Sequence, residues 1–402
     1  MIKTTKLILT NLINQKNYYL RHLFPEVENL TPSLRFKGYS NKWMFKKISF
    51  IYKDTEIIGG GTPSTRVREY YDNGQVNWFN VVDLKQKYVY STINKITELG
   101  VQKSAAKIFP KNSVVLGCSA TIGDCCISKS KSSCKQGLFA FIPNDKIYHE
   151  YLYYVFVINK LSLKKLASGA GSTFPNINKS MLKEFEIPIP PTLEEQQAIA
   201  NFLSKIDDAI EREILRIMST QKQYYLNNMF PKSNQNIPMI RFRGFSDEWK
   251  NVSLSHITNY TQPSIHYYQA SKSTSLKNEN NGNLVPVYTA GKTYLMGYIE
   301  KQTNLKTFNR VPCILFDDFT TEAKIISVPF YTSSSASKII TLTKEYEFLP
   351  YEILLNLISS LNIEKISHGR HWISQYQNSD VKLPINIDEI KLIGKTLERI
   401  NH

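Results

Sequence analysis

The chain repeats itself out of order, and this constrains its fold more than any other feature. Residues 15–43, QKNYYLRHLFPEVENLTPSLRFKGYSNKW, return as residues 221–249, QKQYYLNNMFPKSNQNIPMIRFRGFSDEW, with 13 of 29 positions identical at a constant offset of 206. A second pair, EEQQAIANFLSKID (194–207) and DEIKLIGKTLERIN (388–401), matches at an offset of 194. Each member of that pair follows a strand-like segment closing on proline, EFEIPIP (184–190) or DVKLPIN (380–386). The chain therefore reads as two tandem half-copies of about 200 residues, each with a shared helical part and a variable globular part.

The central helical part is read residue by residue. Pro190 and Pro191 cannot lie inside a helix, because proline lacks the N–H and clashes with the preceding turn. Thr192 then serves as N-cap with Glu195 three residues on, a capping box. Ile199, Leu203, Ile206, Ile210, Ile214, Ile217 and Tyr224 follow in steps of three and four plus one longer step, an apolar stripe along one face. Glu194, Lys205, Asp208, Glu211 and Arg212 occupy the opposite face, and Pro231 ends the helix. At about 1.5 Å per residue, roughly 38 residues span on the order of 57 Å, the length of a spacer that requires a partner helix. The second copy keeps only the front of this helix, where Asn386 and Glu389 repeat the cap pattern. Its back half stands at the start of the chain, where LTNLINQKNYYLRHLF matches LRIMSTQKQYYLNNMF. Residues 386–402 and roughly 1–24 together equal one copy of 192–230, so the repeat is circularly permuted. The expectation is that the two termini adjoin and rebuild a second long helix, antiparallel to the first.

The first twenty residues are not read as a signal peptide: Leu7, Leu9, Leu12, Ile13 and Leu20 are interrupted by Thr, Asn and Gln, and no small-residue cleavage site follows. No apolar run reaches the roughly 18–20 residues needed to span a bilayer. Five cysteines, Cys118, Cys125, Cys126, Cys134 and Cys313, point to reduced thiols in a cytoplasmic protein. Four of them lie within 17 residues, yet Cys125 and Cys126 are adjacent and C-x-x-C is absent, so buried thiols are favoured over zinc. The two globular segments, 44–180 and 250–380, are rich in Tyr, Phe, Ile, Val, Thr and Ser and read as mixed α/β, each with one late helix.

Catalytic constellations fail one by one. PVYTAGKT ends like a phosphate-binding loop, but Pro286 stands where the first glycine is needed. FDDFTTEAK supplies Asp317, Asp318, Glu322 and Lys324, which read as a solvated loop rather than a metal site. No nucleophile has a base beside it. Binding chemistry has more support. Lys and Arg number 50 against 34 Asp and Glu, a net charge of +16, which points to a polyanion such as nucleic acid. In the first segment the candidate DNA contacts are Gly61, Thr62, Ser64, Thr65, Arg66, Arg68, Lys103, Lys107, Ser119, Thr121, Lys129, Lys131, Lys135, Ser172 and Thr173. In the second they are Thr289, Lys272, Lys277, Lys292, Lys338, His368, Arg370 and His371. Lysines, hydroxyls and backbone N–H groups suit phosphates, while Arg and His also suit base edges. Two such segments held apart by rigid helices have the layout of a bipartite DNA reader.

GSTFPNINKSMLKEFEIPIPPTLEEQQAIANFLSKIDDAI resembles the central region of the specificity subunits of type I restriction-modification systems. IGGGTPST and VNWFNVVDL resemble the start of their target-recognition domains, and FPKNSVVLGCSATIGDCCIS the middle of one. The resemblance implies an α+β chain of two pseudo-repeated target-recognition domains separated by two long antiparallel helices, a coiled-coil spacer, with a circularly permuted repeat. The expected division is an N-terminal helix segment (1–43), recognition domain 1 (44–180), a central conserved region (181–249), recognition domain 2 (250–380) and a C-terminal helix start (381–402). Such a subunit has no catalysis and no cofactor of its own. It reads a split sequence in double-stranded DNA and docks two modification subunits, which bring S-adenosylmethionine and methylate adenine. Two restriction subunits using ATP and Mg2+ are an optional addition, and no membrane is involved. The docking surface would lie on the helix faces around 192–230, carrying Glu195, Ile199, Leu203, Ile206, Ile210, Ile214, Ile217 and Tyr224, and around 386–402 with 1–24. The competing readings are the recognition part of a fused restriction-methylation enzyme, whose methyltransferase motifs are missing, and a basic helical adaptor without sequence preference.

Overall fold

Two units, Met1–Ile217 and Met218–His402, divide the chain. The computed structural model describes residues 2–26, 29–168, 175–261, 284–289, 295–300, 307–332, 336–361, 363 and 371–401. Unit 1 begins with α1 (Ile2–His22), β1 (Met44–Lys47), α2 (Ile48–Ile51), β2 (Ile57–Gly59) and β3 (Val76–Phe79). It continues through β4 (Tyr88–Val89), β5 (Lys95–Ile96), α3 (Glu98–Gln102), β6 (Val114–Gly117), β7 (Cys125–Ser128), β8 (Ser132–Cys134) and β9 (Leu138–Phe141). The helices α4 (His149–Ile158), α5 (Lys160–Ser168) and α6 (Lys179–Glu184) and the strand β10 (Glu186–Ile189) then lead into α7 (Leu193–Asn228), within which the division between the units falls.

Strand alternation explains how unit 1 is layered. Successive side chains of a strand point to opposite faces. Val114 and Leu116 of β6, with Cys125, Ile127 and Phe141, face one core with Tyr151 and Val155 of α4. Val115, Cys126 and Ala140 face a second core with Phe79, Phe109 and Cys134. The five-stranded sheet β2-β9-β6-β7-β4 thus lies between α4 and the small sheet β5-β3-β8, in which β3 and β8 run parallel. The four cysteines of this unit are buried, and burial pushes the Cys134 thiol up to about 12.

Unit 2 contains β11 (Lys250–Ser253), α8 (Leu254–Ile257), β12 (Thr258–Thr261), β13 (Leu284–Tyr288), β14 (Leu295–Glu300), β15 (Cys313–Asp317) and β16 (Ala323–Ile326). After these come β17 (Tyr331–Thr332), β18 (Ser337–Leu342), α9 (Tyr351–Ser360), β19 (Asp380–Leu383) and α10 (Ile387–Asn401). The same logic recurs: Ile314 and Phe316 face α9, while Cys313 and Leu315 face away from it into a separate cluster. The sheets β12-β18-β15-β16 and β14-β13-β17 repeat the arrangement of unit 1, including a parallel pair, β13 with β17. In each unit an antiparallel ribbon ties the two ends of the globular segment together, Met44 opposite Ile189 and Lys250 opposite Leu383.

Within unit 1, α1 meets the front of α7 with Lys16 on Asp207 (2.5 Å) and Tyr19 edge-on to Phe202 (4.8 Å), so these stretches run antiparallel. The start of α7 differs from the expected capping box. Thr192 Oγ1 accepts from the Glu195 N–H (3.3 Å), but the Glu195 carboxylate does not return to the cap. It accepts a fork from Arg35 Nε (2.7 Å) and Nη2 (2.9 Å), and a bond from Trp43 Nε1 (3.2 Å). The part-buried Arg35 offers the carboxylate two charge-assisted bonds, which outweigh one bond to a neutral cap N–H. Unit 2 makes the equivalent fork, Arg241 Nε and Nη2 to Glu389 at 2.7 and 2.8 Å, but the buried Trp249 Nε1 has no hydrogen-bond partner where Trp43 has one. Among the described residues, no helix is long and apolar enough to cross a membrane.

Candidate nucleic-acid interface

The glycine loop after β2 is built by backbone proximity. Gly60 N–H donates to the Leu138 carbonyl and Gly61 N–H to that of Cys134, both at 2.9 Å. Trp78 Nε1 donates to the Gly61 carbonyl at 3.1 Å. A Cβ on Gly60 would stand 2.0 Å from the Lys135 carbonyl oxygen, and one on Gly61 2.3 Å from the Ala105–Ala106 peptide. The loop is threaded where no side chain fits. Beyond it Thr62, Ser64, Thr65, Arg66 and Arg68 are exposed. Pro63 anchors this run, its carbonyl accepting from the Tyr71 hydroxyl at 2.6 Å.

The two backbones that grip the glycines carry exposed lysines, Lys103 and Lys107 flanking Ala105–Ala106, and Lys135. Ser119 lies under the same turn, its Oγ 2.3 Å from where a Cβ on Gly137 would be. The fold therefore gathers the hydroxyls and arginines of residues 62–68 with Lys103, Lys107, Lys135 and Ser119. Thr121, expected as a DNA contact, follows in the loop after β6 with its hydroxyl buried against Gly117, so that hydroxyl does not reach a phosphate. Lys129 and Lys131 belong to a different loop, organised by the buried amide of Asn77. Asn77 Nδ2 donates to the Tyr90 carbonyl (3.2 Å) and Ser130 Oγ (2.7 Å), and its Oδ1 accepts from Thr92 N–H (3.2 Å). This leaves Tyr90 and Ile93 projecting, 72% and 82% exposed. Lys129 lies 4.4 Å over the Tyr88 ring, and burial lowers its pKa. The sequence reading missed Tyr90 and Ile93; bulky residues in a YSTIN turn were the available signal.

Several expected residues are corrected. Gly61 is buried, so its contribution is the path of the loop and not a contact of its own. Lys338 is wholly buried, its ammonium 2.9 Å from Asp318, and cannot reach a phosphate. His371 is also buried, Nδ1 hydrogen-bonded to the Asp318 carbonyl at 2.7 Å. Asp318 Oδ1 further accepts from Trp372 N–H (2.8 Å), while the Asp317 carboxylate accepts from Phe319 N–H (2.9 Å) and the Thr320 hydroxyl (2.7 Å). The expected solvated acidic loop is thus partly core, because both aspartates find internal donors. Glu195, Ile199 and Leu203 are buried in unit 1 and are not available to a partner. On the same helix Ile206, Ile210 and Ile217 are half-buried, and Ile214 and Tyr224 are exposed. Thr289 is half-exposed just after β13. Ser172, Thr173, Lys272, Lys277, Lys292, His368 and Arg370 lie outside the described residues. Among the described residues, no cluster of His, Cys, Asp or Glu is arranged to hold a metal ion.

Residues 41–217, which hold this gathered loop surface, match the family of the Type I restriction modification DNA specificity domain. Curated relatives that match this chain carry the same description, specificity subunits of type I restriction enzymes. The specificity subunit of type I restriction enzyme MjaIX of Methanocaldococcus jannaschii is 41% identical over 174 residues, covering 42% of this chain and 39% of its own. The EcoR124I/EcoR124II specificity subunit of Escherichia coli is 30% identical over 227 residues, covering 54% of this chain and 52% of its own. The chain thus spans from 39% to 52% of the length of these two relatives. Among solved structures, the HsdS subunit from Thermoanaerobacter tengcongensis aligns over 54% of this chain and 48% of its own, with 17% identity and a TM-score of 0.38. The type I restriction-modification S subunit from M. genitalium aligns over 92% and 91%, with 16% identity and a TM-score of 0.36.

Proposed function

We propose that this chain is the DNA sequence-recognition subunit of a type I restriction-modification complex. The globular segments 44–180 and 250–380 each read one half of a bipartite duplex target. The observation that carries this reading is the gathered surface of residues 62–68, Lys103, Lys107, Ser119 and Lys135, inside the stretch that matches the family. Exposed arginines and lysines with hydroxyls beside them can hold phosphates and reach base edges. Equivalent forks, Arg35 to Glu195 and Arg241 to Glu389, support two equivalent halves of a permuted repeat. The long helices set the unread gap. Two modification subunits dock on their free faces, around Ile214 and Tyr224, and supply S-adenosylmethionine and adenine methylation. Two restriction subunits with ATP and Mg2+ complete the endonuclease form, and the complex works in the cytoplasm.

The test is methylation by the chain together with its modification subunit and S-adenosylmethionine on a randomised duplex library. One split sequence should be methylated. Uniform, salt-sensitive binding with no preferred sequence would mark a basic adaptor instead and reject the reading.

A further inference from the structure

Lys87 is drawn into unit 1 from just before β4 and reaches both α4 and α7. Its ammonium donates to the Tyr154 hydroxyl (2.9 Å) and Ser204 Oγ (2.6 Å) and lies 3.9 Å from Glu150 and 3.8 Å from Asp207. It also sits over the rings of Tyr88 (4.7 Å) and Tyr154 (4.8 Å). Asp207 in turn holds Lys16 of α1 (2.5 Å) and accepts from the Tyr154 hydroxyl (2.5 Å). Glu150 accepts from the hydroxyls of Tyr88 (2.8 Å) and Ser204 (3.0 Å). Lys87 thereby ties the globular segment, through β4 and α4, to α7, where Asp207 also holds Lys16 of α1.

This network is a costly way to hold a fold together. Burial lowers the Lys87 pKa although Glu150 and Asp207 oppose the shift, so the ion is worse off here than in water. Both carboxylates keep other donors if Lys87 is removed, so its loss strands neither of them. Unit 2 carries Glu398 where the repeat pairs it with Ser204, and Asn356 is the sixth residue of α9 as Tyr154 is of α4. There the Asn356 Nδ2 is buried without a hydrogen-bond partner. Where a buried ion gains little from its surroundings, the network around it can still enforce one geometry.

We propose that the Lys87 network is a positioning device that fixes the angle of the first recognition segment on its helices, and so the gap length at which the first half-site is read. This rests on the function proposed above. The test uses the full chain with its modification subunit, as wild type, Lys87→Met and Tyr154→Phe. Each is assayed on duplexes bearing both half-sites at the native gap and at gaps one base pair shorter and longer. The variants should keep both half-site sequences and melt at or above the wild-type temperature, yet lose about tenfold or more of the preference for the native gap. Unchanged gap preference in both variants would overturn the proposal. So would an equal loss at every gap accompanied by lower melting, the pattern of a merely structural role. A wild type without any split-site preference would instead remove the functional reading, and this proposal with it.

Discussion

Glu195 and Glu389 are nearly inaccessible, each 1% exposed, and each receives two nitrogens of one guanidinium. Removing one partner of such a pair strands the other charge. Glu195→Ala, which also strips Trp43 of its acceptor, should cost about 3–5 kcal/mol in denaturant unfolding, and Glu389→Ala a similar amount. Gly61→Ala forces a methyl into the Ala105–Ala106 peptide and should cost at least about 1–3 kcal/mol, read as a lower Tm with the loop displaced. His149 gives a pH dependence. Burial first, then Lys129, lowers its pKa below 6.5, so the unfolded chain binds the proton more readily. Its contribution is intact above pH 6.5 and lost as pH falls from there through the folded pKa. A melting series from pH 7.5 to 5 should therefore decline less steeply for His149→Gln than for the wild type.

At the scale of elements, α7 shows what local sequence can and cannot reveal. Its limits follow from Pro190, Pro191, Thr192 and Pro231, and the helix runs Leu193–Asn228. Capping is a contact between near neighbours, so it is written where it acts. The role of Glu195 is not, because its partner Arg35 lies 160 residues away. With one side-chain cap bond left at this end, Thr192→Ala should cost about 1 kcal/mol, measurable as a shift in the urea midpoint. Lys338 and His371 were misread for the same reason. A lysine in a Ser-rich stretch looks exposed until Asp318, from the end of a neighbouring strand, is placed beside it. The glycine loop was legible as a loop, but the close approach of residues 105–106 and 134–135 that demands glycine depends on how the strands pair.

For the whole molecule, the proposed division of labour predicts that length and sequence of the target separate. Inserting four residues within 205–218 should lengthen the unread gap while leaving both half-sites unchanged, as read by methylome sequencing of cells carrying the variant. An altered half-site would reject the spacer role. The Arg–Glu forks also bear on how the chain is made. Arg35 must wait for a carboxylate 160 residues downstream, and Arg241 for one 148 residues downstream. At ribosomal rates of about 5–20 residues per second, Arg35 and Trp43 lack their partner for roughly 8–32 s. The intervals do not overlap, since Glu195 is synthesised before Arg241. The order of synthesis thus gives the first latch time to close before the components of the second are made, which would favour pairing within each copy.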